Sequence, residues 1–482
     1  MGMMVPQVKL TVSKSVGRRV SSHLATLLAL LSLATVALPQ TPAGKPGLPA
    51  TPPSARANPS AAIADDSARL VTEFEVNGLK VLVKRREGNQ TVVAGLFFRG
   101  GSRNITAENA GVEALMLDVA TEASANFPRE RFRRELSRTG TAMTYGINYD
   151  YSALTLGSTR QHFARAWEIF TDAALRPSFA ADDFQRVKQR QLLSLSDDED
   201  TPDSYLQVLQ AQAAFSGHPY LNDPRGTSKS VGALTVDDLK RFHQQMMQTS
   251  RMLLVLVGDL DAGQVRRMVE ASFGKLPRGN YKESPVPQLS FPMSTVSVTQ
   301  RDIPTNYVSG VFAAPPLTSA DIYPLRIASS ILQTRVFQEV RVRRNLSYAP
   351  DAFLNSQAAN TGGIYVTAVD ANQAVQLMLG EIARLQREEI TNEELRGTTQ
   401  HFLTRYYLGQ ETNGAQAGEL AQAELIGGGW RNSATFMERL RAVTPADVKR
   451  VAQLYMRNLR FVVIGDPKSI NSSLFTAEAL KQ

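Results

Sequence analysis

The chain of 482 residues contains no cysteine. That removes disulfides, thiolate metal sites, lipid attachment through cysteine and cysteine nucleophiles together. A cysteine-free composition suits export into an oxidising compartment, where unpaired thiols mispair. Histidine is scarce as well: His23, His162, His218, His243 and His401 are the full set, and no two lie within five residues of each other. Neither His-Glu-x-x-His nor its inverse, His-x-x-Glu-His, can therefore occur. A catalytic zinc needs about three protein ligands and one open position, and the four histidines after His23 are too scattered to supply them. His162 and His243 fall in helical stretches and His218 in a Gly-His-Pro turn, and all read as surface or capping residues. There is no Gly-x-Ser-x-Gly elbow for a serine nucleophile. Gly427-Gly428-Gly429 is followed by Trp430 rather than lysine and reads as a turn, not a phosphate loop. The acidic run Asp197–Asp200 lacks EF-hand spacing and its glycine, so it reads as a solvated helix end.

What is present describes an exported globular protein. A composition 43% hydrophobic and 20% charged is ordinary, and the length suffices for two or more cored domains. Lys9, Lys14, Arg18 and Arg19 precede an uncharged apolar run from Leu24 to Leu38, followed by small residues and Pro39. This is the pattern of a signal peptide over residues 1–43, cut after Ala37 or Ala43. The run is shorter than the roughly 20 residues of a membrane span, so no stable span is expected after cleavage. Arg18-Arg19 hints at twin-arginine export. Half of the net charge of +8 belongs to this leader. The short cluster Arg341, Arg343, Arg344 is no basic stripe with interleaved aromatics, so nucleic acid is not an expected partner.

From Pro39 to Pro59 every third residue on average is proline, so residues 44–69 read as an extended, disordered linker. The remainder is duplicated. Ala233-Leu-Thr-Val-Asp-Asp-Leu-Lys-Arg241 matches Ala442-Val-Thr-Pro-Ala-Asp-Val-Lys-Arg450, and each block runs through a helix into an apolar strand ending in Gly-Asp, at Gly258-Asp259 and Gly465-Asp466. Thr235 and Thr444 read as helix N-caps with carboxylates three residues on. Val92–Phe98 pairs with Tyr307–Ala313. The expectation is an α+β protein of two homologous domains, 70–285 and 290–470, each a mainly antiparallel sheet packed with helices.

The ordered set Asn77-Gly78-Leu79-Lys80-Val81-Leu82-Val83, Gly100-Gly101-Ser102-Arg103, Asn109-Ala110-Gly111, Pro177-Ser178-Phe179, Asp200-Thr201-Pro202 and Phe337-Gln338-Glu339-Val340-Arg341 through Leu346-Ser347-Tyr348 resembles the insulinase/pitrilysin family of inverted zincins, which includes the mitochondrial processing peptidases. The likeness spans nearly the whole chain after the linker. It implies that the family's zinc helix lies at Val112–Asp118. Along that helix Val112, Leu115, Met116 and Val119 form a buried stripe, while Ala114, Leu117 and Asp118 share another face. Carried over position by position, the two histidines correspond to Ala114 and Asp118, the catalytic glutamate to Leu117, and the third ligand to Leu193, Ser194 or Leu195. None of these can polarise a scissile carbonyl or activate water with zinc.

The other half of the family's site is retained. Active members use an arginine and a tyrosine seven residues apart to hold the substrate backbone, and Arg341 and Tyr348 match in type and spacing. Both donate hydrogen bonds to carbonyl oxygens, and Leu332, Val336, Phe337 and Val340 give the helix before Arg341 a buried face. Some family members divide the labour between two chains. The glycine-rich loop of some non-catalytic subunits is not evident at Ser329–Thr334. The resemblance thus implies an exported subunit, periplasmic in a Gram-negative bacterium, with no cofactor of its own and not catalytic alone. It would give Arg341, Tyr348 and half of a peptide chamber to a zinc-bearing His-x-x-Glu-His homologue. The alternative is a binding or scaffold protein without proteolytic role, as the core subunits of cytochrome bc complexes resemble this family.

Overall fold

The computed structural model describes residues 68–476. The expected signal peptide and the proline-rich linker, except for its last two residues, lie outside the described residues. Strands β1 (Val71–Val76), β2 (Leu79–Arg85), β3 (Thr91–Arg99), β4 (Ala142–Ile147), β5 (Tyr151–Thr159) and β6 (Met252–Gly258) form one sheet in the order β1-β2-β6-β3-β5-β4. Strands β7 (Thr295–Gln300), β8 (Asn306–Ala314), β9 (Asp351–Leu354), β10 (Asn360–Ala368) and β11 (Arg460–Gly465) form a second in the order β7-β11-β8-β10-β9. Each sheet is antiparallel except for one pair, β2 with β6 and β7 with β11. The second order therefore repeats the first strand for strand, with β1 added at the first sheet's edge. The matched segments Val92–Phe98 and Tyr307–Ala313 lie in β3 and β8, the same place in each sheet.

Local chemistry sets the elements. Asn77 and Gly78 both have positive φ (49° and 86°), as a two-residue hairpin turn between β1 and β2 requires. The repeated helices Val236–Met246 and Pro445–Tyr455 each open with a reciprocal capping box, Thr235 with Asp238 and Thr444 with Asp447, satisfying two otherwise orphaned backbone donors.

Strand β6 is apolar and buried at all seven positions, so both faces of its sheet need cover. Met252, Leu254 and Leu256 face the first domain's own helices. Leu253, Val255 and Val257 point the other way, onto Ala417, Leu420, Ala421, Ile426 and Trp430. Those residues belong to, or directly follow, helix Asn413–Ile426 from the second half of the chain. The exchange is reciprocal. Helix Pro202–Ala214 of the first half lies on β8 and β11, with Leu206 against Val462 and Ile464. Each domain thus lends a helix to the other's sheet, and each large buried apolar side chain there contributes about 2 kcal/mol. Polar contacts frame this interface: Lys80 Nζ to Glu424 at 2.6 Å, the Trp430 indole N–H to Glu73 at 2.8 Å, and Asn413 Nδ2 to the Thr91 carbonyl at 2.7 Å. Buried Asp150 accepts from the Tyr220 hydroxyl and, at 3.1 Å, from the Ala358 amide across the domain boundary. No helix among the described residues is long and apolar enough to cross a membrane.

Candidate functional site

The first candidate is helix Val112–Ala120. It starts at Gly111, whose φ of 90° suits glycine, and a Cβ there would lie 2.7 Å from the Arg225 carbonyl oxygen. The helix packs against helices Val236–Met246 and Ala181–Asp200 and against β4. The expected stripe of Val112, Leu115, Met116 and Val119 is buried, but so is every other residue of the helix. The other face shares this burial: Ala114, Leu117 and Asp118 are 3%, 2% and 5% exposed. The crossing helix Ala181–Asp200 supplies the reason, because its side chains close over the position where ligands would need to converge.

Asp118 brings the one carboxylate to this place, and its oxygens are already engaged. Oδ1 accepts from Arg190 Nη2 at 2.8 Å and Oδ2 from the Tyr145 hydroxyl at 3.3 Å. Arg190 also reaches Glu122 at 3.6 Å. Glu122 pairs with Arg133 (3.1 Å) and Arg186 (2.8 Å), and Asp183 with Arg186 (2.8 Å) and Arg129 (3.5 Å). Burial pushes the Asp118 carboxyl above its ordinary value, with Arg190 opposing. A zinc ion does not fit this donor set. A methyl group and an isobutyl group stand at two of the inherited positions, and a guanidinium already satisfies the carboxylate at the third. Of the positions for the remaining ligand, Leu195 is buried and Leu193 is 65% exposed. Among the described residues no three His, Asp or Glu side chains form a group able to hold a metal.

The second candidate lies in the other domain. Helix Ile322–Val336 buries Leu332 and Val336, then runs on as a π-helical segment, Phe337–Arg343, with Val340 buried and Phe337 half-buried. The chain reverses at Asn345 (φ 52°), and the Leu346 amide returns to the Val340 carbonyl at 2.9 Å. That reversal turns a seven-residue spacing into contact. Arg341 Nη1 donates to the Tyr348 carbonyl at 2.8 Å, and its guanidinium carbon lies 4.7 Å from the centre of the Tyr348 ring. Tyr348 is 80% exposed. One donor face of Arg341 is thereby fixed in direction, while the tyrosine hydroxyl points into solvent with no partner among the described residues. No local pattern marks the π-helical segment in advance. Wider turns of this kind occur mostly as local bulges, often at functional sites.

The structure does not join the two candidates. The polar contacts of Asp118 stay within the first domain and those of Arg341 within the second. The guanidinium cluster around Glu122 was missed in the sequence. Its signal was the arginine-rich helix Arg129–Thr139, whose solvated face concealed that Arg129 and Arg133 reach across to buried acids. The histidines behave as surface or capping groups with one correction. His218 accepts from the Tyr220 amide and His401 is exposed, but His243 is buried, 2.8 Å from the Ala174 carbonyl. Desolvation holds its pKa below the ordinary value.

Comparison with known proteins places this geometry. Residues 80–227 match the model of the insulinase family, peptidase family M16, and residues 233–400 match that of the peptidase M16 inactive domain. The beta subunit of the mitochondrial-processing peptidase of Blastocladiella emersonii is 23% identical over 408 residues, covering 81% of this chain and 87% of that one. A Helicobacter pylori protein described as the non-peptidase homolog YmxG is 24% identical over 292 residues, 58% of this chain and 67% of that one. The crystal structure of a peptidase M16 inactive domain from Pseudomonas fluorescens superposes with a TM-score of 0.76 at 19% identity, covering 82% of this chain and 98% of that one. On these matches the chain belongs to the insulinase (M16) peptidase family as a peptidase-like, non-catalytic member.

Proposed function

We propose that this chain is the exported, non-catalytic half of a two-chain zinc metallopeptidase, periplasmic in a Gram-negative host. It presents Arg341 and Tyr348 to a peptide backbone and forms half of the chamber closed by a His-x-x-Glu-His-bearing homologue, which holds the zinc. The observation that carries this reading is the contrast within one molecule. The positions that the resemblance assigns to the metal site are packed shut around an ion pair, while Arg341, on the π-helical segment, meets Tyr348 on the exposed reversal that follows. A guanidinium steered by a backbone carbonyl and a free phenol suit the carbonyl oxygens of an extended peptide. The second reading, a scaffold without proteolytic role, draws on the hydrogen bond that Arg341 already spends on Tyr348.

The test is reconstitution of the purified chain with a His-x-x-Glu-His homologue from the same host. Alone, the chain should cleave no peptide; together, the pair should. Arg341→Ala or Tyr348→Phe in the pair should lower kcat/KM about 10- to 100-fold. An unchanged kcat/KM in both variants, or failure to associate with any such homologue, rejects the subunit role and leaves the scaffold.

A further inference from the structure

The two regions that the family's chemistry singles out share an electrostatic arrangement that neither the family models nor the relatives describe. In the first domain the carboxylates of Asp118, Glu122 and Asp183 are the buried layer, their side chains 5–10% exposed. The guanidiniums of Arg129, Arg133, Arg186 and Arg190 form the outer layer, 33–52% exposed. In the second domain Glu339 lies underneath, paired with Arg343 and Arg344, which are 71% and 40% exposed. Arg341 beside them has no carboxylate partner among the described residues; it is held by the Tyr348 carbonyl and ring. At the first cluster a molecule from solvent meets Arg129, Arg133, Arg186 and Arg190 in front of the three carboxylates, and at the second Arg341, Arg343 and Arg344 around Glu339. The acids are consumed in holding the arginines, whose outward N–H groups keep spare donors.

We infer that both arginine clusters bind carboxylate side chains of a peptide, so that the substrate class is acidic peptides rather than basic ones. This rests on the peptide-binding reading proposed above and adds the sign of the charge. Paired, partly dehydrated guanidiniums bind carboxylates through two parallel N–H···O contacts. Two cationic clusters in one chain also attract an acidic segment over about 10 Å at ordinary ionic strength.

The experiment uses the full chain, alone and with its zinc-bearing partner, and three fluorescent peptides of equal length: glutamate-rich, neutral serine/glycine-rich and lysine-rich. Anisotropy titrations at low salt should show the acidic peptide binding about tenfold or more tighter than the lysine-rich one, a gap that shrinks as salt is raised. Arg133→Ala with Arg343→Ala should weaken the acidic peptide about fivefold and leave the neutral one unchanged. Arg138→Ala, which pairs with Glu135 outside both clusters, should alter neither. If the three peptides bind equally, or the lysine-rich one binds tightest, the charge inference is overturned while peptide binding stands. If no peptide binds in either form, peptide binding fails and the inference falls with it.

Discussion

Helices Val112–Ala120 and Ile322–Val336 are the same element of a duplicated fold, each following the strand at the heart of its sheet and preceding the edge strand. They have opposite fates. The first is buried at every residue and stops after nine; the second keeps a buried stripe and runs on through a π-helical segment to an exposed loop. The first is held by buried carboxylates under arginines, and the second carries Arg341, held by the carbonyl and ring of Tyr348 rather than by a carboxylate among the described residues. Duplication supplied two copies of one scaffold. One copy is packed on all sides, and the other carries an outward-facing arginine–tyrosine pair.

The largest effect should come from trying to reverse that difference. Ala114→His with Leu117→Glu and Asp118→His places two imidazoles and a carboxylate in a closely packed space beside Arg190. We expect destabilisation of about 5 kcal/mol in chemical denaturation and no stoichiometric zinc by elemental analysis while Arg190 remains. Uptake of one zinc per chain would show that packing does not close this site. Next in size is Arg190→Ala, which leaves the buried Asp118 carboxylate without its cation. It should cost about 3 kcal/mol, and Asp118→Leu with Arg190→Met should recover most of it. No loss in the single variant means that the ion pair is not what holds the first region.

Titration should separate the regions by sign. The Asp447 carboxyl sits below its ordinary value, chiefly through the Thr444 hydroxyl. Its contribution is therefore present above about pH 4 and lost as pH falls through the lowered value. Asp118, raised chiefly by burial, works the other way: its cost is absent below about pH 4 and grows as pH rises through the raised value. Denaturation of Asp447→Asn should thus show a deficit of about 0.5–1 kcal/mol at pH 7 that vanishes in acid. Asp118→Asn, by contrast, should gain on the wild type between pH 4 and pH 7. Parallel pH dependences in the two variants would contradict this account. Smallest should be the effect of Arg341→Ala and Tyr348→Phe on stability, within about 0.5 kcal/mol for exposed positions. A Tm lowered by several degrees in either would mark the loop as part of the fold.

Much of this was legible beforehand. The repeat, the capping threonines and the strands ending at Gly258 and Gly465 are local patterns of period, cap and turn, and they appear where the sequence places them. The residue types at Ala114, Leu117, Asp118, Arg341 and Tyr348 are read directly from the sequence; the roles given to those positions come from the family resemblance. The closing of the first site was not legible. Arg190 and Asp118 lie 72 positions apart, and nothing local marks which exposed-looking arginine turns inward to a buried acid.

Side-chain chemistry and local periodicity therefore determined that this protein is a doubled α+β chain with no histidine on helix Val112–Ala120. Only the tertiary structure decided that each domain covers the other's sheet with a borrowed helix. It alone revealed that guanidiniums overlie buried carboxylates and that a chain reversal at Asn345 brings Tyr348 onto Arg341. These depend on which distant surfaces meet once apolar faces are buried, and burial energy is summed over the whole chain rather than written into any one segment of it.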